Sequence, residues 1–183
     1  NRNHKNIFIN FLLENQEGNV ILNTNRSVCK SYEFSIDNIH LWQGIEDPYL
    51  YSLTISLKEN NIIFDKRTIK IGFRKIEFDK NIGFLLNGIA YKIKGVGRHQ
   101  DKWLKGNAIT KEDIKNDLNM ILQMGANSIR ATHYQHSDDF YSLCDELGIL
   151  VWAEIPVISA VTQNQFSDEN AKEQLVYLIN QVR

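Results

Sequence analysis

Three short clusters in this 183-residue chain hold the side chains that could do chemistry. The first is Arg98-His99-Gln100-Asp101, a polar run after the glycine-flanked segment Gly95-Val96-Gly97. The second is Arg130 with His133 and Tyr134, and the third is Glu154, in Val151-Trp152-Ala153-Glu154-Ile155-Pro156. Arginine offers a planar fork of donors that orients a carboxylate, and histidines beside it suit an anionic or hydroxyl-rich ligand. Each cluster also has a plainer reading. His99 could be a solvated loop histidine, and Arg130 could pair with Asp138 or Asp139. Trp152 reads as core in preference to a stacking platform for a ligand, and His136 could enter a cleft or sit solvated at a helix start.

The elements that must position these groups follow from periodicity. Phe84–Leu86 and Ile89–Ile93 flank Asn87-Gly88, the dipeptide of a two-residue type I′ hairpin. A short apolar strand is predicted over Ile93–Val96, then a helix opened by a capping box from Thr110 and Asp113, with Ile114, Leu118, Ile121 and Leu122 as its stripe and Gly125 as its stop. Asn127–Ala131 reads as the second strand. Ser137 caps a second helix with Phe140, Leu143, Cys144 and Leu147 facing inward, stopped by Gly148. Ile149–Ala153 is the third strand, and Ser167 or Asp168 opens a third helix with Ala171, Leu175, Leu178, Ile179 and Val182 as its stripe. Repeated strand–helix units predict parallel strands, whose carboxyl ends carry the chemistry. His99, Arg130, His133 and Glu154 all fall at such ends.

Residues 1–74 have the period of strands. Ile7, Ile9, Phe11 and Leu13 alternate, and Glu17-Gly18-Asn19 marks a turn. Tyr32, Phe34 and Ile36 alternate, Tyr49 to Leu57 does so most cleanly, Asn60-Asn61 reads as a turn, and Ile69, Ile71 and Phe73 alternate again. Short strands at this spacing predict an antiparallel sandwich. The period changes after Phe73, which divides the chain into domains over residues 1–74 and 75–183.

Composition narrows the partners. A net charge of -1 removes the electrostatic reason to expect nucleic acid, and no apolar run approaches the length of a membrane span. Cys29 and Cys144 fall in segments of different character, and Cys144 reads as a buried free thiol. Cysteine usage leaves the compartment open, with the cytoplasm favoured over the periplasm or secretion. The chain starts at Asn1 without methionine or leader, and residues 1–74 look one or two strands short of a whole domain. A start within a longer protein is therefore expected.

Asn127-Ser-Ile-Arg130, two small residues, His133-Tyr134, then Phe140-Tyr141, Asp145 and Gly148 before four apolar residues resemble the first signature of family 2 glycoside hydrolases. Gln135 stands where that family usually has proline. Gly95 to His99 is similar to a second family loop, with Gly97 for the usual asparagine and Gln100 for the usual glutamate. Trp42 to Tyr51, WQGIEDPYLY, resembles the end of the family's immunoglobulin-like second domain. The resemblance implies an immunoglobulin-like β-sandwich, incomplete at its start, followed by the first three βα units of a (β/α)8 TIM barrel. A whole barrel takes roughly 200 to 250 residues.

The resemblance also implies roles. His99 would bind hydroxyls of the terminal sugar, with Gln100 and Asp101 beside it; Arg130 would lie near the nucleophile carboxylate; His133 would touch the sugar; and Glu154 would belong to the polar shell. Retaining glycosidases need two carboxylates about 5 to 5.5 Å apart. In the family both follow the position equivalent to Arg183, and Glu169-Asn170 has the wrong order for the acid/base pair. No catalytic residue is therefore assigned. Ile155–Ala160 offers no glutamate and histidine to hold a magnesium ion, so neither metal nor cofactor is expected. The implied activity is retaining hydrolysis of terminal β-D-galactosides by a homo-oligomer. A β-glucuronidase of the same family and a non-catalytic sugar-binding module are the alternatives.

Overall fold

The computed structural model describes residues 7–59, 62–157, 159–160 and 164–182. The chain divides into two compact units, Asn1–Gln43 with Tyr49–Lys75, and Gly44–Pro48 with Ile76–Arg183.

The first unit is built on one antiparallel sheet with strand order β2-β1-β3-β4, from β1 (Ile7–Glu14), β2 (Val20–Ser27), β3 (Tyr51–Glu59) and β4 (Ile62–Ile71). Alternation sets which side chains turn inward: Phe11 and Leu13 on β1 are buried on one face, as is Tyr51 on β3. The predicted strand around Tyr32, Phe34 and Ile36 does not form. Tyr32 folds back locally, its hydroxyl donating to Ser27 O at 3.0 Å and accepting from Cys29 N–H at 2.8 Å. Its ring and that of Phe34 nonetheless pack 4.7 and 4.9 Å from Phe11. Alternation placed those rings correctly, but no neighbouring strand pairs with the segment. Among the described residues this unit shows one named sheet, with the Tyr32 to Ile36 segment packed on it. Trp42 is wholly buried, with the Arg74 guanidinium 4.3 Å above its ring. The expected turn at Asn60-Asn61 lies outside the described residues, as does Ile158.

The second unit opens with a small antiparallel sheet, β5 (Ile76–Asp79), β6 (Gly83–Leu86) and β7 (Ile89–Ala90), its tight turn made by Asn87 and Gly88 at φ 54° and 80°. Then follow β8 (Gly95–Arg98), α1 (Lys111–Gln123), β9 (Ser128–Ala131), α2 (Asp138–Leu147), β10 (Leu150–Ala153) and α3 (Gln165–Gln181). The three strands β10-β9-β8 are parallel throughout. Ile114 and Leu118 of α1, Phe140, Leu143 and Cys144 of α2, and Ile129 and Ala131 of β9 form one buried core with Ile149. Cys29 and Cys144 are free thiols, and burial pushes the Cys144 thiol up.

Boundaries moved where side chains claimed the backbone. The strand expected at Ile93–Val96 begins at Gly95, because buried Asn127 takes over the backbone before it. Its Oδ1 accepts from Lys94 N–H at 2.7 Å and its Nδ2 donates to Lys92 O at 2.9 Å. The third helix starts earlier than expected, capped by Asn164, whose side chain accepts from Ser167 N–H at 2.9 Å. Of its apolar stripe only Leu178 is buried, while Leu175, Ile179 and Val182 are exposed.

Candidate functional site

Parallel strands in register bring their last residues to one level. Arg130 on β9 pairs with Trp152 on β10 and Gly97 on β8, so Glu154, one residue past β10, and His99, one past β8, flank it. The Arg130 guanidinium grips Glu154 side-on: Nε donates to Oε1, and Nη2 donates to Oε2 at 3.2 Å. His133 Nδ1 lies 3.2 Å from the same Oε2. A carboxylate only accepts, so a proton on Nδ1 serves this contact, while Arg130 Nη2, a donor only, lies 3.4 Å from the same Nδ1. The His99 ring stands edge-on to the His133 ring, centroids 5.5 Å apart. The four groups placed at strand ends by the sequence therefore converge.

Electrostatics follow the contacts. The hydrogen bond from Arg130, helped by His133, holds the Glu154 carboxyl below its ordinary value and outweighs desolvation. Glu154 in turn raises Arg130. The Arg130 side chain is 53% exposed, so the pair is screened by water and orients more than it stabilises. An ionised Glu154 held by Arg130 and His133 is a fixed anion, its side chain 17% exposed. Among the described contacts of the four residues there is no second carboxylate at displacement distance. Among the described residues, no group of three or more His, Cys, Asp or Glu gathers as metal ligands.

The rest of the first cluster works as scaffold. Arg98 is buried, not solvent-facing in a sugar loop: Nε and Nη2 donate to Asp117 Oδ2 at 3.2 and 2.8 Å, and its cation lies 5.3 Å from the Phe140 ring. Its carbonyl accepts from both Thr132 N–H and Thr132 Oγ1, at 3.1 and 3.0 Å, which ties the strand end before His99 to the residue before His133. Gln100 spans the same gap. Its Oε1 accepts from Ser137 N–H at 2.7 Å and its own N–H donates to the Tyr134 hydroxyl at 3.1 Å. Ser137 occupies the N-cap position of α2, but its hydroxyl makes no cap bond; Gln100 instead fixes the Ser137 N–H that leads into the helix. Asp101 is exposed on the loop beyond Gln100.

Two further readings are corrected. His136 neither enters a cleft nor sits in solvent: it is 2% exposed, packed 4.7 Å from Phe140, and burial lowers it to about 4, so it is neutral. Trp152, read as core, is 65% exposed, since the face of β10 opposite the helices has nothing over it among the described residues. Asp117 was missed. Its signal was present, an acid at i+3 inside the Ile114, Leu118 and Ile121 stripe, where a buried face demands a cation.

Comparison with known proteins agrees with this layout. Residues 77–180 match the TIM barrel domain of glycosyl hydrolases family 2, and residues 6–74 match a further domain of glycosyl hydrolases family 2. The chain is 36% identical over 171 residues to a Bacteroides fragilis β-glucuronidase, covering 89% of this chain and 24% of that protein. It is 36% identical over 156 residues to a Halalkalibacterium halodurans β-galactosidase, covering 82% of this chain and 15% of that protein. The solved structure of Bacteroides uniformis β-glucuronidase 3 superposes with a TM-score of 0.88 at 32% identity, over 97% of this chain and 23% of that one. This chain thus spans about a quarter or less of these relatives' length. With both family matches, the parallel β8-β9-β10 sheet and the strand-end residues in register, the chain belongs to glycoside hydrolase family 2.

Proposed function

We propose that this chain forms the sugar-holding part of a retaining β-glycosidase that acts on terminal β-D-galactosides. Residues 1–74 are read as an incomplete immunoglobulin-like sandwich, and residues 75–183 as the first three βα units of a (β/α)8 barrel. The observation that carries the reading is the Arg130–Glu154–His133 cluster with His99 against it, at the carboxyl ends of three parallel strands. In this reading His99 and His133 bind hydroxyls of the terminal sugar. Glu154 holds the imidazole in place and takes a hydroxyl itself, while Arg130 keeps Glu154 ionised and faces the nucleophile carboxylate. Gln100 and Asp101 line the same loop, Gln100 chiefly by holding it in place. The acid/base and nucleophile glutamates come from outside these 183 residues.

A second reading, a β-glucuronidase, has support of the same weight, since a relative of that name is as identical to this chain as the β-galactosidase is. The two separate by assay. The full-length protein is expected to turn over a nitrophenyl β-galactoside faster than the matching β-glucuronide; the reverse order selects the second reading. The 183-residue chain alone should hydrolyse neither, because general acid and nucleophile each contribute orders of magnitude. Turnover by the isolated chain would mean that the carboxylate pair lies within it. In the full-length protein His133→Ala should lower kcat/KM by a hundredfold or so while Tm moves little, since its contacts tighten in the transition state. Equal loss of stability and activity would make His133 structural.

A further inference from the structure

The loop between β8 and α1 carries a feature that the sugar cluster does not use. Lys102 and Gly106 close a tight turn by mutual backbone bonds, Lys102 N–H to Gly106 O at 3.0 Å and Gly106 N–H to Lys102 O at 2.9 Å. The turn is stapled to the first turn of α1. Lys102 Nζ and Lys105 Nζ both reach the buried Asp113 carboxylate, at 2.8 and 2.7 Å, and Asp113 also accepts from Thr110 N–H at 3.0 Å. At the tip stand Trp103, 86% exposed, and Leu104, 89% exposed and held at φ 64°. Left-handed backbone at a solvated tip ordinarily selects glycine, asparagine or aspartate. Here an indole and an isobutyl group are presented to water on a turn that two ion pairs tie to α1, both lysines being drawn onto the one Asp113 carboxylate. Rigid exposed aromatics are the usual anchors of a binding surface, because little freedom is lost when a partner stacks on them.

The turn faces the candidate site's end of the sheet, since the loop leaves the carboxyl end of β8. Trp103 follows His99 by four residues, which keeps their Cα atoms within about 14 Å of each other. A ring attached to a sugar held at His99 falls within that reach. We infer that Trp103, with Leu104 beside it, is a platform for the leaving-group side of the glycoside, taking an aryl or sugar ring whose apolar face lies on the indole. The inference rests on the glycosidase reading above. An indole face accepts the C–H face of a ring, and the indole edge offers one N–H donor to a hydroxyl. Trp103 then governs which leaving groups are accepted and leaves the terminal sugar to the histidines.

The test compares two substrates of the full-length protein with the same terminal sugar, a methyl glycoside and a disaccharide or aryl glycoside. Trp103→Ala should lower kcat/KM for the extended substrate roughly tenfold and for the methyl glycoside less than about twofold. Trp103→Phe should restore most of the loss. An equal loss on both substrates, or none on either, overturns the platform and leaves the glycosidase reading standing. A fall in Tm with the substrate ratio unchanged also overturns it, placing the indole against protein. A wild-type protein that hydrolyses no glycoside removes the glycosidase reading and the platform with it.

Discussion

Arg98 shows how a single buried charge can organise a site without touching a ligand. Its guanidinium is fixed by Asp117 and its carbonyl by Thr132, so the residues on either side of the histidine cluster are held by one side chain and its own backbone. Removing one partner of a buried pair leaves an uncompensated charge, whereas replacing both by apolar groups can be nearly neutral. Asp117→Ala is accordingly expected to cost about 3 kcal/mol in urea unfolding, and the double replacement Arg98→Met with Asp117→Leu to recover most of it. A single variant that unfolds like the wild type would show that water reaches Arg98 and that the pair is not holding the strand end.

At the scale of elements, caps and turns hold the loops that carry the site. Asp113 closes the capping box of α1 while gripping Lys102 and Lys105. Those two lysines, and then Thr110, hold its carboxyl well below the usual carboxylate range. A group depressed in the folded state stabilises above its unfolded value, near 4, and the contribution is lost as pH falls through the folded one. The Tm gap between wild type and Asp113→Asn should therefore be full at neutral pH and shrink below about pH 4; a gap constant across acid pH would sink the assignment. The two glycines that end α1 and α2 make a second contrast. Gly125 and Gly148 both have left-handed backbone, at φ 80° and 77°. A β-carbon on Gly125 would meet open space, but on Gly148 it would overlap the Gly44 carbonyl. Gly125→Ala should cost about 1 kcal/mol, the strain of the conformation alone, and Gly148→Ala clearly more. Equal costs in chemical denaturation would mean that the Gly44 backbone yields freely.

At the scale of the molecule, the second unit leaves apolar surface on its last elements. Strand β10 pairs only with β9 among the described residues, and Trp152, Val157, Leu175, Val176, Ile179 and Val182 are exposed. An unpaired strand edge beside apolar surface favours association. Sedimentation of the 183-residue chain should show self-association that grows with concentration. A clean monomer at high concentration would show that this surface is tolerated in water.

Local periodicity alone determined a good deal of this protein. Alternation in Ile7–Glu14 and Tyr51–Glu59, the Asn87-Gly88 turn, the Thr110–Asp113 box and the Phe140, Leu143 and Cys144 stripe are decided by neighbours in the chain, so their elements are legible in the amino-acid sequence. So is the height of His99, Arg130, His133 and Glu154 at strand ends, because strand–helix repeats dictate parallel pairing. Only the tertiary structure decided the rest. Whether Tyr32 to Ile36 joins a sheet depends on a neighbour strand, which the segment's own alternation cannot supply. Whether Arg98 meets a ligand or Asp117 depends on a side chain 19 residues away, and whether His136 is wet or dry depends on whether its ring folds onto Phe140 of α2. Charge type and spacing are local properties; burial is a property of what packs on top.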